Sequence, residues 1–231
     1  MVMSVPTVSG APGVVAFPEE AARTVVEYAQ KAGQTIVIKI IDEIRNWLGH
    51  PEIVNDHVHA WSPTIKQLFT DSQYNLSTCK AELSAYWEGP GYESFKAYSE
   101  HISKVFENAA DIADKMSGLL RQVNDTITKV YQEAVRFIGD CAVAIIKASE
   151  SILGEIEKLW LGVARGVLVA LQEFVQNISN LTREVMGILN SFRSNAQELQ
   201  NRAVDLKLPD VIPPSATLPD NWIVRPRKNS P

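Results

Sequence analysis

The sequence predicts an all-α protein, an elongated antiparallel helical bundle of about four long helices. Three observations carry that expectation. Apolar residues recur three or four apart from residue 19 to residue 206, the period of one helical face. The β-rich run Thr35-Ile36-Val37-Ile38-Lys39-Ile40-Ile41 has no second strand to pair with, so it reads as helix. The periodic stretch 92–206 would be roughly 170 Å long as a single helix, so it should fold back on itself.

Each element follows in order. Residues 1–18 hold Pro6, Pro12, Pro18, Gly10 and Gly13 and read as a flexible leader. Helix opens at Glu19-Glu20, where acidic side chains suit the positive end of the dipole. Ala22, Val25, Val26, Ala29 and Ala32 start its stripe, Gly33 is a place for a bend, and Ile36, Ile40, Ile41, Ile44, Trp47 and Leu48 continue it. Gly49-His50-Pro51 ends this segment. A second stripe runs through Val58, Trp61, Ile65, Leu68, Leu76, Cys79, Leu83 and Tyr86. It fits a helix near 52–86 kinked at Pro63, or one that begins at Pro63.

The stretch Tyr86-Trp87-Glu88-Gly89-Pro90-Gly91-Tyr92 is the hard stop. Pro90 lacks an amide hydrogen and disfavours helix in the residue before it, and the two glycines accept angles closed to other residues. A break this dense between two periodic segments is the signature of a helix-turn-helix reversal, with the turn at 87–91. The stripe then resumes at Phe95, Tyr98 and Ile102 and runs to Leu206. Gly139-Asp140 and Ser149 to Gly154 are the candidate breaks, and the second divides the stretch into two arms of similar length. Gly162, Gly166 and Ala170 sit four apart, a spacing at which two helices can approach closely. The helical body is therefore 19–206. Residues 207–231, punctuated by Pro209, Pro213, Pro214, Pro219, Pro226 and Pro231, read as a Pro-rich disordered tail. Trp222 and Ile223, the large apolar residues of its final third, are candidates for docking on the bundle or on a partner.

Charge and chemistry narrow the function. The chain has 231 residues, enough for one sizeable core or two small ones, and a net charge of −5. Lys207, Arg225, Arg227 and Lys228 against Asp210 and Asp220 give the tail a net +2, which leaves −7 on residues 1–206. An acidic body argues against a nucleic-acid partner and against a polybasic membrane anchor. Cys79 and Cys141 make neither a disulfide framework nor a metal pattern, and both are expected to be buried thiols. His50, His57, His59 and His101 read as surface or structural, since 57 and 59 face different sides of a helix. No nucleophile elbow, phosphate-binding glycine loop or H-E-x-x-H motif occurs. No catalytic, cofactor-binding or metal-binding residues are therefore assigned. The first basic residue is Arg23, so an ordinary cleavable signal is not expected. The most apolar window, Trp160 to Leu171, is about 12 residues with Arg165 inside it, whereas a membrane span needs about 20.

The turn resembles the WXG (Trp-Xaa-Gly) family of type VII (ESX) secretion substrates. The family pattern has a Trp-Xaa-Gly turn, a small residue two after the Gly and an aromatic four beyond that. Trp87, Gly89, Gly91 and Phe95 stand at those positions. The resemblance covers roughly residues 52–135. It implies a non-enzymatic protein built on a WXG helical hairpin and exported without a cleavable signal, or held at the cell surface, after cytoplasmic synthesis. It implies pairing with a WXG-type partner or with itself, and handling by the type VII secretion ATPase. In this picture Trp87 buries its ring between two helices while its indole N–H finds a polar partner. Gly89 makes the reversal, Gly91 allows close backbone approach and Phe95 begins the returning apolar face.

Two features depart from the pattern. The chain is more than twice the length of compact members, in the manner of longer PE/PPE-like proteins. Many actinobacterial members also carry Tyr followed four residues later by Asp or Glu. Here Tyr28, Tyr74, Tyr86, Tyr92, Tyr98 and Tyr131 are followed at that distance by Ala32, Thr78, Pro90, Lys96, Ile102 and Val135. Two readings from other classes remain: a membrane-active protein that inserts residues 141–175, and an intracellular helical adaptor.

Overall fold

A computed structural model describes residues 15–150, 156–208 and 211–225, with side chains over those ranges except 156–163. The fold is all-α apart from one two-stranded ladder. Its elements are α1 (Glu19–Lys31), α2 (Thr35–Ile44), α3 (Pro51–His59), α4 (Lys66–Tyr86), β1 (Trp87–Glu88), α5 (Pro90–Glu150), α6 (Ile156–Val204), α7 (Pro214–Thr217) and β2 (Ile223–Val224). The chain divides into two compact units, one of residues 1–54 and 122–192, the other of residues 55–121 and 193–231.

In the first unit, the single helix expected from residue 19 to residue 48 is two. Gly33, at φ 70°, closes α1. Its N–H donates to Gln30 O and that of Gln34 to Ala29 O, the paired reverse bonds that satisfy the last carbonyls of a helix. The glycine ends the helix because the left-handed conformation costs it nothing. The β-rich run 35–41 lies in α2, as the missing partner strand required. Ala22, Val25 and Ala29 of α1 and Val37, Ile41 and Ile44 of α2 are fully buried with Ile138, Ile145, Leu171 and Phe174. Each large side chain among them contributes about 1.5–3 kcal/mol relative to exposure. Gly139 stays helical inside α5, so the chain does not break there, and the other candidate, Ser149 to Gly154, lies largely outside the described residues. Residues 151–155 lie outside the described set, as do the surroundings of Gly162. A Cβ built on Gly166 would lie 2.9 Å from Ala148 Cβ, so this glycine permits a close helix approach. Nearby, Cys141 Sγ donates to Ala170 O at 3.6 Å, and burial pushes its thiol up to about 12.

In the second unit, α3 leads into α4 through a kink at Ser62, where φ −144° and ψ 120° are extended rather than helical. Pro63 disfavours the helical region for the residue before it, and the helix α3 ahead of it is the kinked alternative read from the sequence. Contacts between α4 and the start of α5 step backward along one as they step forward along the other. Lys80 pairs with Glu100 at 3.3 Å, Phe69 meets Phe106 with ring centroids 6.4 Å apart, and Lys66 pairs with Asp114 at 3.0 Å. Beyond the kink, Ser117 Oγ donates to Val58 O at 3.0 Å. The end of α6 joins them where Arg202 reaches Asp111 at 2.7 Å and His101 Nε2 bonds Lys207 O at 3.1 Å. Hydrogen bonds from Arg202 and Lys115 hold the Asp111 carboxyl below its ordinary range.

Two sequence expectations fail in this unit. Cys79 is exposed rather than buried. The inward face of α4 follows Phe69, Leu76, Lys80 and Leu83, and Leu68, Cys79 and Tyr86 are exposed beside it. The tail expected to lack structure also forms defined elements over 211–225. Pro214 and Pro219 each occupy the start of a helical turn, where a missing N–H costs nothing.

Candidate functional site

The break between α4 and α5 is built from the residues that the sequence singles out. Tyr86 ends α4, and Trp87 is extended at φ −123°, ψ 145°, with its N–H still donating to Leu83 O. Gly89 sits at φ 95°, a region closed to residues with a side chain, and makes the reversal. Its carbonyl accepts from Glu93 N at 3.1 Å, so Pro90 is the first residue of α5 and its absent N–H leaves no bond unmade.

All four motif residues meet the tail. β1 pairs antiparallel with β2 in the register Trp87 opposite Val224 and Glu88 opposite Ile223. The ladder is extended by Arg225 N donating to Tyr86 O at 2.8 Å. The Trp222 ring is the centre of the contact. It lies edge-on to Trp87 at 5.7 Å and 89°, near-perpendicular to Tyr92 at 6.4 Å and 69°, and tilted to Phe95 at 6.1 Å. Such pairs add about 0.5–1.5 kcal/mol beyond the area they bury. A Cβ on Gly91 would lie 2.8 Å from Asn221 O and equally close to two atoms of the Trp222 ring. The close backbone approach expected at Gly91 is thus an approach by the tail. Trp87 is half-buried against Trp222.

The strap holds its own shape. Trp222 Nε1 donates to Ala216 O at 2.9 Å, and Asn221 Nδ2 donates to Ser215 O at 2.9 Å. Ser215 Oγ reaches Ser94 Oγ on α5 at 2.7 Å. An exposed pair, Arg225 Nε to Glu88 Oε2 at 3.2 Å, adds at most about 1 kcal/mol. The contact is therefore apolar and shape-determined rather than electrostatic. Sequence reasoning singled out Trp87, Gly89, Gly91 and Phe95 and did not assign Tyr92, Asn221 or Trp222 to the same site. The available signal was a lone Trp-Ile pair in a polar, Pro-rich tail.

Elsewhere, chemistry is sparse. An open, largely apolar cleft of about 570 Å³ in the first unit is lined by Ile40, Trp47, Ile127, Val130 and Val185, with Glu43 at its edge. No His or Cys lines it. Among the described residues there is no cluster of three metal-ligating side chains, and no helix is long and apolar enough to cross a membrane. Comparisons with family models, with curated proteins and with solved structures returned no match.

Proposed function

We propose that this chain is a non-enzymatic WXG-type protein of a type VII secretion system, exported as a folded helical protein and acting through helix–helix contacts. The observation that carries the reading is the position of Trp87, Gly89, Gly91 and Phe95 at the junction of α4 and α5. The side-chain partners on either side of that junction run in antiparallel order. In this reading α4 and α5 are the two arms of a WXG hairpin, and the remaining helices lengthen it into a bundle of the PE/PPE-like kind. The partner is a small WXG protein or a second copy, laid along a face of the hairpin. α4 offers such a face, since it buries no residue of its own and exposes Leu68 and Tyr74. None of the six tyrosines is followed four residues later by Asp or Glu, so in this reading the export determinant comes from a partner chain or from the tail.

The deciding experiment is secretion. The tagged chain should reach the culture medium in a strain with the type VII ATPase and stay in the cell when that ATPase is deleted. A chain retained in both strains, and monomeric when co-expressed with the WXG protein encoded beside it, would sink the proposal. Substitutions that crowd α4, such as Tyr74→Lys, should separate pairing from folding.

A further inference from the structure

We infer that the turn at residues 86–95 is a peptide-binding site, and that residues 211–225 of this chain are its resident ligand. The proposal goes beyond the secretion reading and does not depend on it. The ligand class is an extended peptide with a Trp anchor followed by two aliphatic strand residues. Three features give the site the character of a receptor and the tail that of a ligand. The first is the mode of contact: β2 adds to β1 as a strand, and one aromatic side chain fills a pocket beside it. Peptide recognition by strand addition uses the same division, with backbone bonds giving affinity and a side-chain pocket giving specificity.

The second feature is Gly91. The three nearest atoms that a Cβ there would meet are Asn221 O and two atoms of the Trp222 ring, all from the tail. No φ in the left-handed range demands glycine at this position. The missing side chain therefore makes room for the tail and serves no need of the turn itself. The third feature is the self-contained form of the strap. Its internal bonds, Trp222 Nε1 to Ala216 O and Asn221 Nδ2 to Ser215 O, shape the ligand without help from the helices. The prolines at 213, 214 and 219 reduce the freedom it loses on docking.

The test uses the full chain and a labelled peptide of residues 211–225. In the Trp222→Ala chain the tail loses its anchor and the site is open, so the peptide should bind saturably by fluorescence anisotropy. The wild-type chain should bind it at least tenfold more weakly, because its own tail competes at an effective concentration on the order of millimolar. A Trp222→Ala, Gly91→Ala double variant should lose binding at least tenfold while keeping the helical circular dichroism of its parent. A peptide carrying the Trp222→Ala change should not bind. Absence of saturable binding to the Trp222→Ala chain at about 1 mM peptide would overturn the inference. Equal binding to the Trp222→Ala chain with and without Gly91→Ala would overturn it too, since the peptide would then be held elsewhere.

Discussion

Replacing Trp222 by Ala should release the tail from the turn while leaving the helices folded. The magnitude follows from the contact. Truncating a fully buried Trp costs about 3–5 kcal/mol, and Trp222 is half-buried, so about 2 kcal/mol is the proper share. The hydrogen bond from its indole to Ala216 O adds about 1 kcal/mol. The two together put the loss on removing the anchor at about 3 kcal/mol. Amide hydrogen exchange reads this directly. The Arg225 amide, bonded to Tyr86 O at 2.8 Å, should exchange about a hundredfold faster in the variant. The α5 amides of Ile138 and Ile145, in the core of the other unit, should not change. Unchanged exchange at Arg225 would refute the placement of Trp222 as the anchor. Acceleration throughout α5 would refute the claim that the strap is separable.

Further outcomes follow from other contacts. A double-mutant cycle on Trp87→Ala and Trp222→Ala, read by Arg225 exchange, should give a coupling of about 1 kcal/mol, the size of an edge-on aromatic pair. Gly166→Ala should lower the melting temperature, because the added methyl meets Ala148 Cβ and overpacking by about 1–3 kcal/mol exceeds the helix-propensity gain of about 1. Gly139→Ala, with open space around it in α5, should instead stabilise by about 0.5–1 kcal/mol. Phe174→Ala in the first core should cost about 3–5 kcal/mol in a denaturant titration. A thiol reagent at pH 8 should label Cys79 alone in the native protein and both cysteines in denaturant. The Cys141 thiol is raised from 9.0 to about 12 on folding, so its contribution to stability is complete below pH 9. That contribution is lost as pH rises from 9 towards 12, which a pH series of urea midpoints should show, and Cys141→Ala should fall less steeply while keeping the fall due to Tyr131, whose hydroxyl is also pushed up by burial.

The helical class and the position of the break between α4 and α5 were legible in the residue order, because both rest on local physics. A 3.6-residue apolar period over 19–206 leaves no other regular structure, and Gly-Pro-Gly at 89–91 cannot continue a helix. Gly33 was visible too, but whether a glycine bends a helix or ends it depends on what the next segment can pack against. Here Val37, Ile41 and Ile44 had a core to join, so the chain turned back. Cys79 and Cys141 sat on equally good stripes. Only the packed neighbours decided that one is exposed and the other sealed, because α4 turns a slightly rotated face inward. The tail shows the same division. Its prolines spelled out an aperiodic segment, and composition says nothing about a distant docking site. What ordered residues 211–225 is a pocket formed by Trp87, Gly91, Tyr92 and Phe95 more than a hundred residues earlier. By itself the sequence determined the helices and the place where α4 gives way to α5. The tertiary structure alone decided that the tail pairs with the turn, since that contact joins residues no local period can connect.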